Sequence, residues 1–150
     1  MGMQIGVLQV RRSVFIKATP QRVWREFSTF EAISNWLDQG HSLHKFEPKV
    51  GGTVEMSVQI GGEDRYYGGR VIVYEVDREV SFESQWQPPY SWPVPTYWTI
   101  RLSPVYGSTL VELFHHGFER LGDQAADNLL GYEEGWDVRH LKTLRSIVES

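Results

Sequence analysis

Histidine exchanges a proton more readily near neutral pH than any other side chain. This chain carries five, two of them adjacent as His115-His116. The run from Thr109 to His116 alternates as a strand, so these neighbours point to opposite faces and cannot hold one metal ion together. His115 shares a face with Val111 and Leu113, while His116 lies on the other with Phe114. An inward histidine can orient a polar group or act as a general base, which makes His115 the one catalytic candidate. The same position equally suits a histidine hydrogen-bonded to a core hydroxyl or carbonyl. His140 stands one helical turn from Trp136 and can face an interior site, or sit as a cation near a helix end. His41 and His44, with Asp38 nearby, are expected in a solvated loop after the second helix. A metal site needs several converging ligands and no further partner is apparent, so neither metal nor cofactor is expected.

Other chemistries find no support. There is no cysteine, hence no thiolate nucleophile and no disulfide. There is no phosphate loop with its lysine, no dinucleotide fingerprint and no nucleophile elbow. Gly61-Gly62 and Gly68-Gly69 read as hairpin and bulge glycines. Fifteen basic against nineteen acidic residues, net −4, argue against nucleic acid as a partner. No apolar run approaches the ~20 residues of a membrane helix, and the first ten residues lack the charge-first order of a signal peptide. A soluble, cytoplasmic protein of one domain, residues 1–150, is expected.

The elements that must position these groups follow from periodicity. Val7 to Lys17 reads as a strand. Thr19-Pro20 starts a short helix that places Val23, Trp24 and Phe27 on one face. The capping-box spacing of Ser28-Thr29-Phe30-Glu31 starts a second, running to Trp36 or Leu37 and closed by Gly40. Val54, Met56, Val58 and Ile60 then alternate with Glu55, Ser57 and Gln59. Further strands run over Tyr66–Val76, Val80–Trp86, Thr96–Ser103 and Thr109–His116. Centring the last turn near Tyr106-Gly107 sets Arg101 opposite Glu112, Ile100 opposite Leu113, Leu102 opposite Val111 and Trp98 opposite His115. Arg101 and Glu112 then form a cross-strand ion pair on the outer face. From Asp123 to Ser150 the period turns helical, with Ala126, Leu130, Leu141, Leu144 and Val148 in one stripe. One long helix across an antiparallel sheet is an α+β fold.

Six Trp, seven Tyr and seven Phe are many for 150 residues. Large residues around a concave sheet either fill a core or leave room for a ligand. Local patterns in the same order carry a family resemblance: Ala18, Pro20 and Val23-Trp24; Trp36; Val50-Gly51-Gly52; Gly69 leading into Val71 to Val76; His115-His116-Gly117-Phe118; and Gly135-Trp136 with Leu141 and Leu144. Together they resemble the START-like helix-grip (SRPBCC) superfamily and, within it, the Aha-type activators of heat-shock-protein ATPase.

The resemblance implies a curved seven-stranded antiparallel sheet wrapped around a long C-terminal helix, with two short helices after the first strand and a cavity between sheet and helix. It implies a small apolar or aromatic ligand there, lined by Trp24, Phe27, Trp36, Phe46, Met56, Trp86, Trp98, Leu113, His115, Trp136 and His140. Tyr90 and Trp92, on the stiff Pro-rich stretch 87–95, would form a lid over one end, or else a dimer contact. The alternatives are an enzyme of polyketide cyclase or dehydratase type with His115 as base, or a chaperone-interacting protein. The chaperone activity of the eukaryotic members also depends on a separate N-terminal domain, for which this chain is expected to have no room. A homodimer is compatible with each reading.

Overall fold

A computed structural model describes residues 2–90, 92–135 and 138–150. Strand β1 (Gln9–Ile16) leads to helix α1 (Pro20–Trp24), a 3₁₀ turn at Arg25–Phe27, and helix α2 (Phe30–Leu37). Strands β2 (Ser42–Phe46), β3 (Thr53–Ile60), β4 (Glu63–Glu75), β5 (Glu79–Trp86), β6 (Thr96–Val105) and β7 (Ser108–His116) follow. A 3₁₀ segment at Phe118–Gln124 then enters helix α3 (Ala125–Gly135), and α4 (Arg139–Glu149) ends the chain. Within residues 123–150 the described helices are α3 and α4.

Both short helices begin as their caps dictate. Thr19 Oγ1 accepts from the Arg22 N–H at 3.2 Å, with Pro20 at the first helical position. In α2 the cap is Thr29, not Ser28: its Oγ1 accepts from the Ala32 N–H at 3.1 Å.

The strands form one antiparallel sheet in the order β1-β7-β6-β5-β4-β3-β2. The β6–β7 register is the one that turn arithmetic gives, with Arg101 opposite Glu112 and Trp98 opposite His115. Arg101 nevertheless bonds elsewhere. It also lies opposite Glu79 on β5, and its Nε reaches Glu79 Oε1 at 2.6 Å, while Glu112 takes Arg11 of β1 at 2.9 Å. The buried carboxylate of Glu79 gains more from a neighbouring cation than the wetter Glu112 does. The bulge in β4 falls between Val71 and Val73, not at the glycines. Gly68 instead serves close approach: at φ +148°, a Cβ there would meet the Val54 carbonyl oxygen at 2.1 Å.

The inner face carries the main core. Val23, Trp24, Phe27, Ile33, Trp36 and Leu37 from the N-terminal helices meet Leu141, Leu144 and Val148 of α4 against Val54, Met56, Phe82, Ile100 and Leu113 of the sheet. A second cluster joins Val10 and Trp92 to Phe118, Leu121 and Ala125.

On the outer face a polar ladder replaces solvent. The Gly6 N–H donates to His116 Nδ1, whose Nε2 meets Thr99 Oγ1 at 2.8 Å. Thr99 meets Ser81, and Ser81 donates to Glu79. Met3 bonds Glu79 through its N–H and Arg101 through its carbonyl. His116 therefore faces outward as its strand position requires, yet it is buried beneath residues 2–8.

Candidate functional site

The sheet and α3 do not close on one another. Between them lies a cavity of about 350 Å³, near the lower end of the roughly 300–1,000 Å³ typical of small-molecule sites. Val58 and Ile60 of β3, Tyr67 of β4, Trp86 of β5 and Trp98 of β6 line the sheet side. Asp127, Asn128, Gly131 and Tyr132 of α3 line the helix side, and His41 comes from the loop before β2. Burial along β3 records this opening. Val54 and Met56 are buried, Val58 is half-buried and Ile60 is 43% exposed, although all four point inward. Gly131 adds to the space, since a Cβ there would meet nothing within 4 Å.

The lining is aromatic with a few fixed polar atoms. Tyr67 and Trp86 pack as a tilted pair, with centroids 4.6 Å apart and planes at 45°. The Trp86 Nε1–H donates to the Tyr132 hydroxyl at 3.0 Å, joining the sheet wall to the helix wall. His41 Nδ1 and the Tyr67 hydroxyl lie 2.6 Å apart. Burial lowers the His41 pKa, with the Asp38 carboxylate opposing and Arg139 adding to the shift. Burial likewise pushes the Tyr67 hydroxyl well above its ordinary value and that of Tyr132 to about 12. At neutral pH the imidazole is neutral and both tyrosines keep their protons.

The residues singled out from sequence divide into three groups. Trp86 and Trp98 line the cavity. Trp24, Phe27, Trp36, Phe46, Met56 and Leu113 are packed in the main core. Trp24 stacks on Phe27 at 5.0 Å, and the Trp36 Nε1–H donates to the Glu26 carbonyl at 2.9 Å. The third group stands behind the cavity wall. His115 is fully buried among Trp98, Phe118 and Tyr132, with ring centroids 4.4–5.7 Å away. Its Nε2 meets Thr96 Oγ1 at 2.7 Å, and Thr96 donates onward to the Ser84 carbonyl, so Nε2 is the protonated nitrogen. Burial holds the His115 pKa well below the ordinary histidine value. His140 is buried edge-on to Trp98 at 6.3 Å. Trp136 lies outside the described residues. Tyr90 packs on Trp86 at 5.2 Å, and Trp92 is buried in the second cluster.

Two placements correct the expectation that His41 and His44 lie in a solvated loop. Residues 42–46 are strand β2, in which His44 Nε2 meets Ser57 Oγ at 2.6 Å, and His41 belongs to the cavity. Among the described residues no three His, Asp or Glu side chains converge as a metal site would require.

Comparison with known proteins decides the family. The family described as Activator of Hsp90 ATPase homolog 1-like protein matches residues 17–149. The chain belongs to this family. Its architecture is shared by a Chromobacterium violaceum protein, 22% identical with a TM-score of 0.69 over 95% of this chain and 98% of the other. The solution structure of the Aha1 dimer from Colwellia psychrerythraea is 16% identical, with a TM-score of 0.65 over 95% and 97%. DynU16, a protein in the dynemicin biosynthetic locus, is 15% identical with a TM-score of 0.65 over 95% of this chain and 48% of the other. No curated protein matches the chain in sequence.

In this Aha1-like protein the sequence reading passed over His41, Val58, Ile60, Asp127, Asn128, Gly131 and Tyr132 as lining residues. The outward drift of burial along β3 has no sequence counterpart. In α3 the expected stripe of Ala126 and Leu130 is exposed, and Asp127, Asn128 and Gly131 border the cavity instead.

Proposed function

We propose that the protein binds a small apolar or aromatic molecule between the sheet and α3. The observation that carries this reading is the aromatic lining of a cavity of about 350 Å³ by Tyr67, Trp86, Trp98 and Tyr132. Burial of apolar ligand surface at ~25 cal/mol per Å² supplies the affinity, and the polar lining atoms supply orientation. The test is a titration of tryptophan emission with small aromatic molecules, paired with melting temperature. Binding shifts Trp86 and Trp98 emission and raises the melting temperature; a panel that moves neither refutes the reading. Catalysis by His115 loses support, because that residue is spent on Thr96 and does not line the cavity.

Homodimerisation belongs to the same proposal, supported by the dimeric Colwellia protein of like fold. So does a cytoplasmic setting, which the absence of cysteine suits. Among the described residues no helix is long and apolar enough to cross a membrane.

A further inference from the structure

We propose that the cavity selects a neutral ligand bearing a hydroxyl or carbonyl oxygen, seated on the His41–Tyr67 pair. The inference rests on the binding reading above and names the class of molecule it admits. The 2.6 Å contact between His41 Nδ1 and the Tyr67 hydroxyl holds one proton between two groups that both line the cavity. When the Tyr67 O–H donates to Nδ1, the tyrosine oxygen is left to accept from a ligand hydroxyl. When the other imidazole tautomer donates to Tyr67, the tyrosine O–H turns to a ligand carbonyl. The pair therefore serves either oxygen without any charge appearing. Tyr132 adds a second donor: its oxygen already accepts the Trp86 N–H, and its own proton stays in place.

Charge narrows the class further. Asp127 is the one acidic side chain among the described lining residues, and no Lys or Arg is among them. Asp38 acts on both members of the pair from nearby. Arg139 lies within electrostatic reach of His41 but does not line the cavity. A carboxylate head would sit beside the acidic Asp127 with no lining cation among the described residues to meet it, which like-charge repulsion opposes. A neutral phenol, enol or ketone meets no such cost.

Isothermal titration calorimetry on three probes that share one ring system separates these terms: naphthalene, β-naphthol and β-naphthoate. The expected order is β-naphthol about three- to tenfold tighter than naphthalene, the yield of one neutral hydrogen bond, with β-naphthoate weakest. Tyr67→Phe keeps the ring on Trp86 and removes only the oxygen, so it should erase the advantage of β-naphthol over naphthalene. His41→Gln, at a half-buried loop position, reports on the same pair should Tyr67→Phe fail to fold. Equal affinity for naphthalene and β-naphthol, a preference that survives both variants, or tightest binding of β-naphthoate would each overturn the proposal while leaving the cavity a binding site. Failure of all three probes to bind would overturn the binding reading with it.

Discussion

Aromatic side chains lie at both ends of the layer between sheet and helices, yet one end is solid and the other hollow. Where α1, α2 and α4 cover it, Trp24, Phe27, Trp36 and Phe46 interdigitate with Leu141, Leu144 and Val148. Where α3 covers it, Tyr67, Trp86, Trp98 and Tyr132 surround open space. At the solid end most of these rings come from the helices themselves, whereas at the hollow end the sheet supplies three of the four, so the covering helices make the difference. Helix α4 offers branched apolar side chains one turn apart, whereas α3 borders the cavity with Asp127, Asn128 and Gly131 and leaves Leu130 55% exposed. An aromatic is a core residue or a wall according to what faces it.

The largest effect expected from this contrast lies at the solid end. Trp36→Ala should cost about 3–5 kcal/mol, because the ring is fully buried and its indole N–H satisfies the Glu26 carbonyl. Urea unfolding measures it. Trp86→Ala at the hollow end should cost clearly less stability while weakening ligand binding at least tenfold, and equal stability losses for the two variants would erase the distinction.

Next in size is a dependence on pH. Burial holds His116 near a pKa of about 4 and His115 well below its ordinary value, so the unfolded chain takes up these protons first. This contribution to stability is complete above pH 6.5 and is lost as pH falls towards 4, further still for His115. The urea midpoint should drop between pH 7 and 5, and His116→Gln should flatten that slope.

Two smaller effects complete the set. Gly131→Ala should stabilise the fold by about 0.5–1 kcal/mol, since a helix-interior glycine with room for a Cβ gains by substitution. Arg11→Ala removes a partly exposed pair with Glu112 and should cost under about 1 kcal/mol by the same assay.

How much of this was legible in the sequence follows from how local each signal is. The β6–β7 register was readable because one tight turn and two clean alternations fix it. Strand β2 was not: only Leu43 and Phe46 are buried in its five residues, and the irregularity between Leu43 and Lys45 breaks the period of two. The Arg101–Glu112 pair was a correct juxtaposition that lost to Glu79 on the neighbouring strand, a competitor visible only once β5 lies beside β6. The His41–Tyr67 contact joins residues 26 apart, across a strand that had not been located. The aromatic inventory announced a core and a cavity together but could not apportion residues between them, because that division depends on α3 failing to fill its side.

The most direct test fills that space from the helix. Gly131→Leu places a side chain in the cavity from a position where the backbone tolerates it. Titration of tryptophan emission with β-naphthol, on wild type and variant, should show saturable binding by the first and none by the second, with the melting temperature of the unliganded variant equal or higher. Binding of unchanged affinity by Gly131→Leu would show that the ligand sits elsewhere and would contradict the account.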